Sequence, residues 1–208
     1  MKNLLPSALV AVWMLSAPAC VTDAAQQTAK MPEGTSINSD AKLMADFKAK
    51  VDDYLKLRKS LEGKSAVPIK STADPQELLS SQKALGAQVR AARAAAKRGD
   101  FFTPATQAQF RRLLIPPLKG PDGTENKVAI KDDAPEPKDI PFQVNAEYPR
   151  DESLSTVPPD VLRALPQLPP DIQYRFVGRH LILYDAKANV IVDFVLNALP
   201  PLPAVEKK

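Results

Sequence analysis

The 208-residue sequence holds one histidine, His180. Acid–base chemistry near neutral pH would have to run through it or through a carboxyl group with a displaced pKa. Arg175, Arg179, Tyr184 and Asp193 stand close to it in the chain, and together the five make a candidate polar patch. As a general base His180 would need a nucleophile and an orienting partner. Ser153 and Ser155 are available, but no serine has glycines two residues to either side, the setting of a nucleophile elbow. The functional reading makes the patch a small catalytic or ligand-binding site. The structural reading makes His180 a polar residue beside a tight turn, and Arg175 with Asp193 a surface ion pair worth little. The structural reading is preferred.

Other chemistries have less support. A soft-metal site needs several Cys or His ligands, and the chain has one of each. Asp132-Asp133 lacks the alternating spacing of a calcium loop. Seven glycines are too few and too scattered for a phosphate-cradling loop. No metal, no cofactor and no catalytic residue is therefore expected. The net charge of +4 comes from intermixed acids and bases, which gives no case for nucleic acid. Arg90, Arg93, Lys97, Arg98, Arg111 and Arg112 form a moderate basic stripe, read as solvated helix surface.

The elements that must position the patch are short strands. Residues 172–177, 180–185 and 190–195 are strand candidates with one apolar face and one mixed face. Gly178-Arg179 suits a two-residue type II′ turn, which pairs Phe176 with Leu181 and Tyr174 with Leu183. A second turn over residues 186–189 pairs Leu183 with Val192 and Leu181 with Phe194, with Asp185 and Asn189 placed for side-chain-to-backbone bonds. Both registers put Ile172, Tyr174, Phe176, Leu181, Leu183, Val190, Val192 and Phe194 on one face. Arg175, His180, Ile182, Tyr184, Asp193 and Val195 take the other, with Arg175 and Asp193 about 10 Å apart across the meander. A short helix near residues 158–165, with Thr156 as a possible cap, precedes the strands.

Upstream the period is helical. Met44, Phe47, Val51, Tyr54 with Leu55, Arg58 and Leu61 recur at three- and four-residue steps, between a cap at Ser39 or Asp40 and Gly63. Asp74-Pro75-Gln76-Glu77 opens a second helix that Arg98-Gly99 ends, and the two are expected to form an antiparallel hairpin. Thr103-Pro104 starts a shorter third helix, which Pro116-Pro117 stops. The sequence contains 21 prolines, concentrated from Pro116 onward.

The chain thus divides into a signal peptide over residues 1–24, a disordered lead-in over 25–38, a helical domain over 39–115, a proline-rich linker over 116–141 and a small C-terminal domain over 142–208. The signal reading rests on Lys2, an apolar run over residues 4–15 too short to span a bilayer as a helix, and the small residues Ala17-Pro18-Ala19. Cys20 leaves two routes open. Signal peptidase can cut after Ala19 or Ala24, or Cys20 can be the lipidated first residue of a lipoprotein, although Ala17 and Pro18 depart from the usual lipobox.

The stretch Thr156-Val157-Pro158-Pro159 through Leu165-Pro166-Gln167-Leu168-Pro169, then Tyr174-Arg175-Phe176-Val177-Gly178-Arg179, Asp185, Ala188-Asn189 and Ile191-Val192-Asp193, resembles a family of exported bacterial proteins of unknown function. Tyr54-Leu55-Lys56-Leu57-Arg58 and Gly99-Asp100-Phe101-Phe102-Thr103-Pro104 are similar to its N-terminal half. The resemblance implies location and architecture and brings no activity. The β-hairpin also resembles the small sheet of periplasmic nickel/cobalt-homeostasis proteins, a likeness that a meander with a glycine turn makes common. The expectation is an α+β protein of the periplasm or exterior, lipid-anchored if Cys20 is acylated. It is read as a non-catalytic binding or scaffold protein whose partner is another protein or an envelope component. Membrane contact is expected only through a lipidated Cys20. The alternative is an enzyme or small-ligand-binding protein with a polar site at Arg175, His180, Tyr184 and Asp193.

Overall fold

The computed structural model describes residues 33–63 and 74–201. The signal reading, Cys20 and the lead-in over residues 25–32 lie outside the described residues. Five helices precede a three-stranded antiparallel sheet: α1 (Glu33–Glu62), α2 (Pro75–Ala92), α3 (Pro104–Lys119), α4 (Gly123–Asp133), α5 (Pro159–Ala164), β1 (Ile172–Val177), β2 (His180–Asp185) and β3 (Val190–Val195). The sheet order is β1-β2-β3. The chain has the α+β architecture its sequence patterns imply.

Local chemistry sets most boundaries. Asp74 accepts from Gln76 N at 2.9 Å and Pro75 takes the first helical position of α2, where a missing N–H costs nothing. Thr103 does the same for α3, accepting from Thr106 N at 3.2 Å. The Gly63 N–H closes α1 on Lys59 O. Gly178 adopts a φ of +52°, as the first central residue of a type II′ turn must. Asp185 accepts from Lys187 N and Ala188 N at 2.9 and 3.1 Å, fixing the second turn. Asn189, at φ +51°, instead donates from its side chain to Tyr148 O.

Five features differ from the sequence reading. α1 begins at Glu33, inside the expected lead-in. α2 stops at Ala92 and the chain turns over residues 93–99, because the Arg93 side chain reaches inward to Asn145 Oδ1 and Val192 O. α3 continues through Pro116 and Pro117 to Lys119. Burial of Leu114 and Leu118 offsets the hydrogen bonds those prolines cannot make. The expected linker over 116–141 contains α4, anchored by buried Ile130 and by Asn126, whose amide donates to Pro117 O at 2.8 Å. The short fifth helix takes Pro158, and not Thr156, at its N-cap.

The helices and the sheet share one core, so the segments 39–115 and 142–208 are packed together. Phe47, Phe102, Phe110, Val161, Tyr174, Phe176, Leu181 and Leu183 belong to a single buried cluster. The sheet's second face is buried as well. Ile182, Tyr184, Ile191 and Phe194 pack there under Ile140 and Tyr148, with Phe142, Val144 and Ala146 against them. The result is three layers: helices, sheet, and an irregular cover from residues 140–148. That cover also pairs with the start of β3, through a bridge between Glu147 and Val190.

Candidate functional site

The first hairpin has the register read from its turn, Phe176 opposite Leu181 and Tyr174 opposite Leu183. The second does not. Near its turn Asp185 faces Val190 and Tyr184 faces Ile191, but beyond a shift between Leu183 and Tyr184 the partners become Leu183↔Asp193, Ile182↔Phe194 and Leu181↔Val195. The extra residue is Val192, a β-bulge. It places Val192 and Asp193 consecutively on the helix side, sends Phe194 to the opposite layer and brings Val195 back. Asp193 therefore lies across the sheet from Arg175, and the expected surface ion pair does not exist. The Asp193 carboxylate is fully buried and accepts from Gly99 N, Phe101 N and Phe102 N at 3.2, 2.9 and 2.9 Å. It pins the loop between α2 and α3 to the sheet.

The other patch residues go separate ways. Arg179 donates to Leu199 O. His180 Nδ1 accepts from Asn197 N at 2.8 Å and its ring meets Phe142 edge-on at 4.7 Å. Burial, then the Arg179 charge, lower the His180 pKa, consistent with a neutral acceptor ring. Tyr184 donates to Asn189 Oδ1 at 2.8 Å and lies against Tyr148. Arg175 donates to Ser155 O at 2.7 Å and to Gln173 Oε1 at 2.6 Å, and its Nε is buried without a partner. Of the five, Arg175 lines a groove beside β1. Tyr184, His180 and Asp193 do not join it.

The largest concentration of buried charge escaped the patch reading. Arg58 is 2 % exposed and Asp185 0 %. Arg58 Nη1 lies 3.0 Å from Asp185 Oδ1, Nη2 2.6 Å from Asp171 Oδ2, and Nε 3.1 Å from Glu62 Oε1. Tyr54 donates to Asp185 Oδ2 at 2.6 Å. Burial pulls the Arg58 pKa down, but the charges and hydrogen bonds of Asp185 and Asp171 outweigh it and the net shift is upward. A visible signal existed: Arg58 occupies an apolar-stripe position of α1. The cluster clamps α1 to the β2–β3 turn, and both Asp185 oxygens accept within the fold. Of the expected basic stripe, Lys97, Arg98 and Arg112 are exposed as read, while Arg93 and Arg111 are drawn into contacts with the fold. Arg93 sits over the Tyr54 and Phe101 rings, Arg111 donates to Leu196 O and Asn197 O, and Arg112 pairs with Asp40.

What remains is the outer edge of β1. A two-residue turn makes Val177 and His180 a hydrogen-bonded pair, and the pattern alternates from there. Arg175↔Ile182 and Gln173↔Tyr184 are then bonded pairs too, and Ala186 N donating to Asp171 O at 2.9 Å continues the series. The N–H and C=O groups of Ile172, Tyr174 and Phe176 consequently point away from β2. Ser155 Oγ accepts from Phe176 N at 2.7 Å and donates to Phe176 O at 2.8 Å. Ile172 N donates to Pro169 O at 3.0 Å. Among the described residues no group meets the backbone N–H and C=O of Tyr174.

That opening borders a groove of about 590 Å³, within the range of ligand-binding clefts. Val157, Leu162, Leu168 and Ile172 make it apolar, and Pro166, Pro169 and Pro170 form one wall. Leu162 is 45 % exposed. The three prolines lack N–H groups, so the wall cannot add itself as a full strand to the edge beside it.

No family model, curated protein or solved structure matches the chain. Among the described residues no three His, Cys, Asp or Glu side chains come together as a metal site, and no helix is long and apolar enough to cross a membrane.

Proposed function

We propose that the protein is an exported, non-catalytic binding protein that takes an extended chain segment into the groove along β1. The observation that carries this reading is the unpartnered backbone pair of Tyr174 at the groove, between Phe176, whose N–H and C=O are both engaged by Ser155, and Ile172, whose N–H is engaged by Pro169 O. A protein strand offers the matching C=O and N–H at the spacing one residue requires. The apolar lining then holds side chains on either side. Ser155 on Phe176 and Pro169 on the Ile172 N–H limit the slot, which distinguishes it from a fully open edge prone to general aggregation. Export is part of the proposal and rests on Lys2, the apolar run over residues 4–15 and Ala17-Pro18-Ala19. Intact mass of the exported chain tests it. Loss of 19 to 24 residues supports cleavage, and a diacylated Cys20 places the protein on a membrane instead.

The groove is tested by amide hydrogen exchange with short capped β-strand peptides. Binding should slow exchange of the Tyr174 amide by at least about tenfold. N-methylation of the peptide's central residue should abolish the effect. Saturable binding that leaves the Tyr174 amide unchanged overturns the reading.

A further inference from the structure

The groove's charge is one-sided. Its lining includes Arg163 and Arg175 and no Asp or Glu. Arg163 projects from α5 with an exposed side chain, paired with Asp160 one helical turn earlier. Such a surface pair contributes little and exchanges partners readily. Arg175 stands beside Tyr174 on β1, spends its two terminal nitrogens on Ser155 O and Gln173 Oε1, and keeps a buried Nε donor unmatched. An unmatched guanidinium N–H beside a backbone slot is a place for an acceptor, most favourably an ionised one.

Resting on the groove reading, we infer that the segment it takes is acidic: an extended peptide with a Glu or Asp side chain next to the residue that pairs with Tyr174. Successive side chains of a strand point to opposite sides. The residue that pairs with Tyr174 then lays an apolar side chain on the Leu162 and Val157 side, and its two neighbours, pointing the other way, direct carboxylates toward Arg175, with the exposed Arg163 side chain in the same groove. A second copy of this chain fits less well. β1 against β1 centred on Tyr174 would set Ile172 opposite Phe176, and both have backbone groups already engaged by Pro169 and Ser155.

The test compares three short capped peptides, of alternating valine with glutamate, glutamine or lysine, on the full mature chain and on the Arg163→Gln variant. Arg163 is exposed, so the variant should fold. Affinity is read by titration and occupancy by exchange of the Tyr174 amide. The glutamate peptide should bind on the order of tenfold tighter than the glutamine peptide at low salt. Arg163→Gln should cut that ratio to about threefold or less, and added salt should shrink it. If the glutamate and glutamine peptides slow Tyr174 exchange with equal affinity, the acidic preference is overturned and the groove reading stands. A preference for the lysine peptide overturns it as well. Failure of every peptide to reach Tyr174 overturns both. Tyr174 protection that rises with protein concentration alone assigns the slot to a second copy and also overturns the inference.

Discussion

Replacing Arg58 by Met tests the account of the buried charge cluster most directly. Met keeps the aliphatic stem that packs in α1 and deletes the guanidinium. Asp185, 0 % exposed, then retains three donors: Tyr54 Oη at 2.6 Å, Lys187 N at 2.9 Å and Ala188 N at 3.1 Å. Removing one partner of a buried pair destabilises by about 3–5 kcal/mol. The surviving donors put Asp185 at the lower end, near about 3 kcal/mol. Asp185→Asn removes the stranded charge and keeps an acceptor for the turn, so Arg58→Met/Asp185→Asn should recover at least about 1 kcal/mol relative to the sum of the single changes. Arg112→Met, which breaks the exposed pair with Asp40, should cost less than about 1 kcal/mol. Urea unfolding at neutral pH gives all four numbers. If Arg58→Met costs no more than Arg112→Met, or the double change shows no coupling, the cluster does not clamp α1 to the sheet.

Three further outcomes follow from other parts of the fold. Burial raises the pKa of all four tyrosines, Tyr148 and Tyr184 to about 12. Ultraviolet titration should therefore show no phenolate in the folded protein at pH 10 and half ionisation in urea, and stability should fall as pH rises above about 10. His180 has a folded pKa below its unfolded value of about 6.5. Its contribution is intact above that pH and is lost as pH falls below it, and His180→Gln should flatten this slope of the urea midpoint against pH. A Cβ on Gly86 would come within 2.5 Å of Ala188 O, so Gly86→Ala should lower stability by about 1–3 kcal/mol despite its higher helix propensity, and an unchanged midpoint would show that α2 does not press on the β2–β3 turn.

The strands were readable because β1 alternates cleanly and Gly178 fixes a two-residue turn. The second register was not. All six residues of β3 are buried, since both sheet faces are covered, and a strand that is apolar on both sides carries no phase from which to detect an inserted residue. Asp193 went with it: one extra residue, Val192, turns a surface carboxylate into the anchor of the Gly99–Phe102 loop. α4 was hidden for a related reason. Its sequence has weak amphipathicity and lies between prolines, and Ile130 and Asn126 become informative only once α3 is beside them. The groove was written in pieces, Leu162, the prolines over 166–170 and Arg175, but the feature that marks it is the unpartnered backbone of Tyr174. Its availability depends on what Ser155 and Pro169 do elsewhere.

The clamp at Asp185 also bears on the order in which the molecule can assemble. Tyr54 and Arg58 reach partners 131 and 127 residues further along the chain. Among the described residues nothing nearer in sequence offers α1 a fully buried carboxylate, so a nascent or truncated chain ending before β2 can pack Phe47 on Phe102 and Phe110 but lacks the charge clamp. Long loops must close before such contacts form, which slows folding. The chain should consequently lock α1 onto the sheet only once β2 has been released.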